Sequence, residues 1–267
     1  MKNNIFSLED KVIVFTGGAG YIGSEVIRSM LDFGGKVVIA DIVDKTPVEV
    51  VGDAELAKNL HVLKCDLSST ESIIEMFRKT KELCGRIDVL VNCAAYGGGV
   101  GGKTIGGDIS QISDELWRRG VDGVLDVTFR CLREVLPYFE ETGKGNIINI
   151  GSMYGLVAPD FGIYGSSGQS SPPTYGPAKA AVLQLTKYAA SNLAKKNIRV
   201  NAVTPGTFAN PKGLKDDGFK EKLESKTMLG RIGKPEDLSG AIILLASDAS
   251  GFMTGANIVV DGGWTAW

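Results

Sequence analysis

The chain has 267 residues, 43% of them apolar, enough to bury the core of one α/β domain running from residue 1 to 267. Its 29 Lys and Arg stand against 31 Asp and Glu, which leaves no electrostatic case for nucleic acid or an anionic membrane, so small molecules and other subunits are the expected partners. Residues 1–10 carry Glu9 and Asp10, and the apolar stretch 12–15 is too short for a signal peptide or a membrane span, so a cytoplasmic location is expected.

In chain order, periodicity predicts a strand at 12–16, a helix at 21–33, a strand at 36–41, a strand at 61–65, a helix at 69–84 and a strand at 88–92. A long helix follows at 113–139, then a strand at 146–150, a helix at 174–196, a strand at 198–203, a helix at 235–247 and a last strand at 257–260. Strands joined through helices imply parallel pairing, because a parallel pair needs a crossover. The expected fold is therefore a doubly wound parallel sheet of seven strands with helices on both faces. Ser113 before Asp114 and Glu115, and Pro235 before Glu236 and Asp237, mark helix starts. Three stretches read as irregular: 42–53, the glycine-rich 97–108, and 154–173. Loops at strand C-termini border the ligand crevice of such sheets, so 97–108 and 154–173, together with 207–230, are the expected substrate loops.

Thr16-Gly17-Gly18-Ala19-Gly20-Tyr21-Ile22-Gly23 ends the first strand and opens the first helix. Gly17 permits the turn, Gly20 lets a pyrophosphate approach, and Gly23 lets helix and strand come close, with the first amides, Tyr21 and Ile22 among them, facing phosphate. Asp41 at the end of the second strand is placed to accept both adenosine ribose hydroxyls. It would repel a 2′-phosphate, and positions 42 to 44 hold no basic residue, so NAD is expected over NADP. Asp66, with Leu67, reads as an adenine contact or as the cap of the helix near Ser69. Asn92-Cys93-Ala94-Ala95 ends the fourth strand in small residues that leave room for a cofactor, with Asn92 and Ala94 as contacts.

A rival motif stands at 97–104, where Gly-Gly-Gly-Val-Gly-Gly-Lys-Thr fits the phosphate loop G-x-x-x-x-G-K-[ST]. That loop needs its Lys103 and Thr104 at a helix start, and Gly106 and Gly107 would cost a helix about 2 kcal/mol relative to alanine. Cys65, Cys84, Cys93 and Cys131 show neither C-x-x-C spacing nor a disulfide framework, which suits packed thiols in a reducing compartment. The single histidine, His61, supports neither a metal site nor a Ser-His-Asp triad.

Tyr175 and Lys179 sit four residues apart at a helix start and so share a face. A phenol with a pKa near ~10 is a poor base unless a cation stabilises its phenolate, and Lys179 is that cation. Pro177 is tolerated in the first turn if Thr174 is the N-cap. Ser152, after the fifth strand, can donate to a substrate oxygen in the same crevice.

On these motifs, and on Asn201-Ala202-Val203-Thr204-Pro205-Gly206, Arg231-Ile232-Gly233-Lys234-Pro235-Glu236-Asp237 and Val260-Asp261-Gly262-Gly263, the chain resembles the classical short-chain dehydrogenase/reductase family over nearly its full length. The resemblance implies a Rossmann fold, Tyr175 as acid and base, Lys179 holding the nicotinamide ribose, Ser152 orienting substrate, and Pro205, Gly206 and Thr207 beside nicotinamide. It also implies a homotetramer, less often a dimer. Three departures stand out. The glycine spacing is that of the extended branch. The family's catalytic Asn, which holds a water beside the lysine, aligns with Val124, with Asp122 or Asp126 as possible replacements. The Ser152 to Tyr175 interval is longer than usual, with Phe161, Tyr164, Ser166, Ser167, Gln169, Ser170 and Ser171 inserted.

A roof dense in hydroxyls suits a polyhydroxylated substrate, and the insert resembles that of a bacterial subgroup associated with sugar and surface-glycan metabolism. Tyr96, Tyr154 and Phe208 are the candidate substrate contacts, and Trp264 and Trp267 are pocket or interface aromatics. The expected activity is hydride transfer between NAD and a secondary alcohol or ketone, with sugar and polyol derivatives as the candidate substrates. The alternatives are a hydrophobic ketone of steroid or oxoacyl type, or an NAD-binding protein with catalysis weakened by Val124.

Overall fold

The computed structural model describes residues 4–95, 109–165, 170–211, 214 and 216–267. Seven parallel strands, β1 (Val12–Thr16), β2 (Lys36–Asp41), β3 (Leu60–Lys64), β4 (Val89–Asn92), β5 (Gly145–Ile150), β6 (Ile198–Pro205) and β7 (Asn257–Val260), lie in the order β3-β2-β1-β4-β5-β6-β7. The chain leaves β1 toward β2 on one side and returns through β4 on the other, so the order reverses between β1 and β4. Ligands bind at such a reversal, beyond the strand C-termini.

The helices are α1 (Tyr21–Asp32), α2 (Pro47–Val51), α3 (Thr70–Cys84), α4 (Asp114–Val121), α5 (Val127–Thr142), α6 (Tyr175–Leu193), α7 (Asp217–Ser225) and α8 (Glu236–Ala246). Alternation along β1 sends Ile13 and Phe15 into one core, with Ile27 and Met30 of α1 and Ile242 of α8. Val14 goes to the opposite core, with Phe77 of α3, Val135 and Phe139 of α5 and Leu193 of α6. Every residue of β1 is buried, as expected for a strand covered on both faces. Each fully buried side chain of this size contributes about 1.5–3 kcal/mol, which is why these strands read so clearly from sequence.

Several boundaries differ from expectation. The third strand is Leu60–Lys64, not 61–65. The fourth begins at Val89, and the carboxylate of Asp88 just before it accepts the Val12 amide at 2.9 Å and pairs with Arg86. The sixth runs on to Pro205. The stretch 42–53 is not irregular throughout: Thr46 and Glu49 form a capping box around Pro47 that starts α2. The single helix expected at 113–139 is α4 and α5 joined by a π-turn, Asp122–Asp126, where the wider winding accommodates one extra residue. Ser113 caps α4 as expected, accepting the Leu116 amide. Thr174 precedes α6 but does not cap it; its backbone is helical and its hydroxyl is buried against Gly120 of α4. No helix among the described residues is long and apolar enough to cross a membrane.

Candidate active site

The crevice is built from the ends of β1, β4, β5 and β6. Gly17 adopts φ +70°, a left-handed turn that costs other residues strain, and a Cβ there would stand 2.8 Å from Ala94 Cα. A Cβ at Gly23 would come within 2.8 Å of Gly17 O and of Gly18 Cα, which explains the close approach of α1. At Gly20 a Cβ would meet only Gly17 O, at 3.4 Å. Gly20 is the N-cap of α1 and brings no side chain to it, and the first turn holds no acid, in contrast to Glu236 and Asp237 at α8. An uncapped, acid-free helix start is an anion site in waiting. Tyr21 and Ile22 stand at that start, and burial together with the Glu236 carboxylate pushes the Tyr21 phenol above its ordinary value.

Thr16 Oγ1 accepts the Cys93 amide at 3.1 Å and the Ala94 amide at 3.2 Å, and so ties the end of β4 to the glycine loop. Sequence reading passed over this hydroxyl, although a Thr at a strand end beside a small-residue run was its signal. Asn92 Nδ2 donates to Asn149 Oδ1, and Asn149 Nδ2 to Thr186 Oγ1, each at 2.9 Å. Asn92 Oδ1 and Thr207 Oγ1 are buried with no hydrogen-bond partner among the described residues. Thr207 follows Pro205, the last residue of β6, and Gly206, whose amide donates to Val260 O at 2.9 Å. Buried orphans are costly unless a ligand satisfies them. Two of them at the crevice, with the open helix start, fit a dinucleotide.

Asp41 Oδ2 accepts the Ala19 amide at 3.0 Å and Oδ1 the Val43 amide at 3.2 Å, which fixes the carboxylate beside the glycine loop. Positions 42 to 44 hold no basic residue, but the next one does: Lys45 Nζ reaches back to Ala19 O at 3.1 Å. Asp66 does not cap α3. Ser69 does, accepting the Ser72 amide, while Asp66 Oδ1 accepts both the amide and hydroxyl of Ser68, contacts that hold its carboxyl below the usual range. The Leu67 side chain is buried in the α3 core.

Two close approaches bring the end of β5 against α6. A Cβ at Gly155 would lie 2.9 Å from the Lys179 carbonyl carbon, and one at Gly176 2.9 Å from Tyr154 O. The turn after Ser152 therefore packs directly on the first two turns of α6. Ser152 Oγ accepts the Tyr154 amide at 3.2 Å, which aims its hydroxyl, and it stands near enough to the Tyr175 phenol to pull its pKa down. Lys179 Nζ donates to Ile150 O at 2.7 Å and stands 5.9 Å from the Tyr175 ring centroid. Ser152, Tyr175 and Lys179 thus meet in one place.

Burial pushes the Tyr175 phenol above its ordinary value, with Ser152 pulling the other way, and it lowers Lys179 to about 8. Desolvation is the largest influence on both groups. The Cys93 thiol lies close enough to interact electrostatically with Lys179 and Tyr175, and burial raises it to about 11. Nothing in the spacing of the cysteines had pointed to it.

Val124 lies in the π-turn, 1% exposed, packed with Ala178, Val182 and Tyr175. Its carbonyl accepts Thr128 Oγ1 at 2.8 Å. Asp122 pairs with Arg130 at 2.5 Å, and Arg130 reaches toward Leu67 O. An amide at position 124 would enter an apolar contact, so Val124→Asn is expected to lower stability by about 1–3 kcal/mol without raising turnover. Urea unfolding and initial rates check both parts; an unchanged midpoint with faster turnover would show that the site still accommodates an amide there.

Of the candidate substrate contacts, Tyr96 lies outside the described residues, as does the glycine-rich stretch 97–104. Tyr154 Oη and Tyr164 Oη are 3.1 Å apart. Phe208 lies against Gly233, in a cavity of about 200 Å³ lined also by Thr207, Leu229 and Val260. In the insert, Ile163 and Tyr164 pack inward with Met153, Phe219, Leu223 and Trp264, while Ser166, Ser167 and Gln169 lie outside the described residues. The described part of the roof is thus more apolar than its composition suggested.

The profile of the family described as enoyl-(acyl carrier protein) reductase matches residues 18–265. The chain is 34% identical to a 7alpha-hydroxysteroid dehydrogenase of Bacteroides fragilis, over 96% of this chain and 95% of that one. Its structure is similar to that of a short-chain dehydrogenase from Leptospira borgpetersenii with bound NAD+, with TM-score 0.85 and 32% identity over 99% and 96% of the two chains. It is also similar to an NADPH-dependent 3-quinuclidinone reductase from Rhodotorula rubra, with TM-score 0.86 and 28% identity over 100% and 97%.

Proposed function

The chain belongs to the short-chain dehydrogenase/reductase family of oxidoreductases that act on hydroxyl and keto groups, and from that premise we propose that it transfers a hydride between NAD and a secondary alcohol or ketone of sugar or polyol type. The observation that carries the reading is the meeting of Ser152, Tyr175 and Lys179 where β5 packs on α6.

Bound nicotinamide supplies the carbon that accepts or gives the hydride. The chain's part is to hold the dinucleotide and move a proton. Asp41 receives the adenosine ribose, the α1 amides from Tyr21 onward the pyrophosphate, and Asp66, Leu67, Asn92 and Ala94 flank the adenosine side. Asn92 Oδ1 and Thr207 Oγ1 gain the partners they lack. In oxidation the Tyr175 phenolate takes the hydroxyl proton while Ser152 donates to the same oxygen; in reduction Tyr175 returns the proton. Lys179 has donors left after Ile150 O, and these serve the nicotinamide ribose and the charge developing on Tyr175.

A second reading, a hydrophobic ketone or alcohol, draws on the relative named for a hydroxysteroid and on the exposed Leu156, Val157 and Phe161 of the insert. A coupled assay of sugars, polyols, steroids and oxoacyl thioesters with NAD and with NADP separates the two. Exclusive turnover of hydrophobic ketones would sink the polyol reading.

We further place the protein in the cytoplasm, where its four free cysteines stay reduced, and read the chain as one domain that forms a homotetramer. The last strand in the sheet, β7, carries the exposed Val259, with the fully exposed Phe252 just before it, and α4 and α5 show Trp117 and Phe129. Light scattering is expected to give four chain masses, or two if only one of these faces pairs; a monomer refutes it.

A further inference from the structure

A cleft of about 500 Å³ opens between the insert, the end of α7 and the C-terminal segment, lined by Val157, Asp160, Ser225, Lys226, Trp264 and Trp267. Its inner wall adjoins the turn that follows Ser152. Trp264, 8% exposed, packs in one cluster with Met153, which directly follows Ser152, and with Tyr154. Its wall is firmly held: the Tyr164 ring stacks on Phe219 of α7 at 5.8 Å, and Lys226 Nζ bonds Asp160 Oδ2 at 2.7 Å. Asp160 Oδ1 meanwhile accepts the Gly162 amide, which orients the carboxylate. Trp267 is largely exposed and offers a free aromatic surface.

We propose that this cleft is a second compartment of the substrate site and takes a hydroxylated six-membered ring, a pyranose or a cyclitol. The occupant follows from the lining. An indole surface favours the apolar C–H face of such a ring, since aromatic side chains combine large apolar area with an edge that can stay polar. Beside it, a half-exposed ammonium and carboxylate offer a donor and an acceptor next to one another, which matches two neighbouring hydroxyls, one accepting and one donating. A plain hydrocarbon ring would strip water from both charges and return nothing. A net anion or cation gains little, because Lys226 and Asp160 already neutralise each other. The proposal deepens the sugar or polyol reading and relies on it only for the chemistry at Tyr175, not for binding in the cleft.

The test is a fluorescence titration of the full chain with NAD, in a Trp117→Phe background so that only Trp264 and Trp267 emit. The probes are methyl β-glucopyranoside and myo-inositol, with cyclohexanol as the hydrocarbon ring of the same size. A saturable change with at least one hydroxylated ring and none with cyclohexanol is expected, with affinity weakened about tenfold in Asp160→Asn and in Lys226→Gln. Each variant is accepted only if its circular dichroism matches the parent. Equal or better response to cyclohexanol, or no saturation by either hydroxylated ring, overturns the proposal. NADH formation is followed in parallel: saturation without any turnover of alcohols sinks the dehydrogenase reading and leaves the cleft, whereas turnover without saturation does the reverse.

Discussion

Tyr175→Phe is expected to cut turnover about a thousandfold while leaving dinucleotide affinity within a few-fold, because the ring stays in place and only the proton-carrying oxygen is lost. Substrate-independent NADH binding by fluorescence and initial rates with a turned-over alcohol together check this. Retained turnover would remove Tyr175 from the chemistry, and absent turnover in the parent would favour a binding protein.

The pH profile carries a second part of the same prediction. Burial raises Tyr175, so it keeps its proton through neutral pH and is ready as the acid of ketone reduction. Lys179 is lowered to about 8, so its charge is present below that pH and lost above it. Reduction is therefore expected to be level from pH 6 to 7.5 and to fall above about 8. Stability runs the other way. Between about 8 and the ordinary lysine value the unfolded chain binds a proton that the folded chain has released, so this group makes folding more favourable as pH rises. A reduction rate that stays flat to pH 10, with Lys179→Met equally flat, would remove the lysine charge from the mechanism.

The parts of the structure that read cleanly from sequence are those with periodic, deeply buried side chains. β1 and β2 fall where expected because strands buried on both faces announce themselves as unbroken β-branched runs, and the edge strand β7, only partly buried, falls where its short Ile-Val-Val run put it. Ser152, Tyr175 and Lys179 were legible for another reason: each follows or opens a well-marked element, so the topology alone sends all three to the same edge. Short and locally determined features were lost instead. The capping box at Thr46 and Glu49 was present in the sequence and was outweighed by the irregular look of its neighbours. α7, capped by Asp216, was hidden in a stretch assigned wholly to a substrate loop.

The π-turn at Asp122–Asp126 and the shift of burial over charge at Lys179 were not legible, because both depend on what packs against them. A one-residue widening leaves no signature in apolar spacing, and Val124 looks like any core residue until α6 is placed beside it. The insert shows the same limit. Its composition suggested a polar roof, yet Tyr154 and Tyr164 bring their hydroxyls together and Ile163 turns inward. Pairing of polar groups within a loop cannot be read from their number.

Cofactor choice tests the reading where two opposed charges meet. Asp41 is held beside the glycine loop by the Ala19 and Val43 amides, and Lys45 closes on Ala19 from the other side. A 2′-phosphate would meet the carboxylate at close range, a like-charge contact of the kind that costs several kcal/mol, whereas Lys45 is exposed and its attraction is screened by solvent. The carboxylate should win, so the parent is expected to favour NAD. Asp41→Asn keeps an oxygen for one of the two amides and removes the charge, and should lower the ratio of kcat/KM for NAD over NADP about a hundredfold. Lys45→Met in that background should then take back part of the NADP gain, since the ammonium left beside Ala19 is the group that meets the phosphate. If the parent already prefers NADP, and Lys45→Met reverses that preference, the lysine rather than the aspartate sets the specificity of this site.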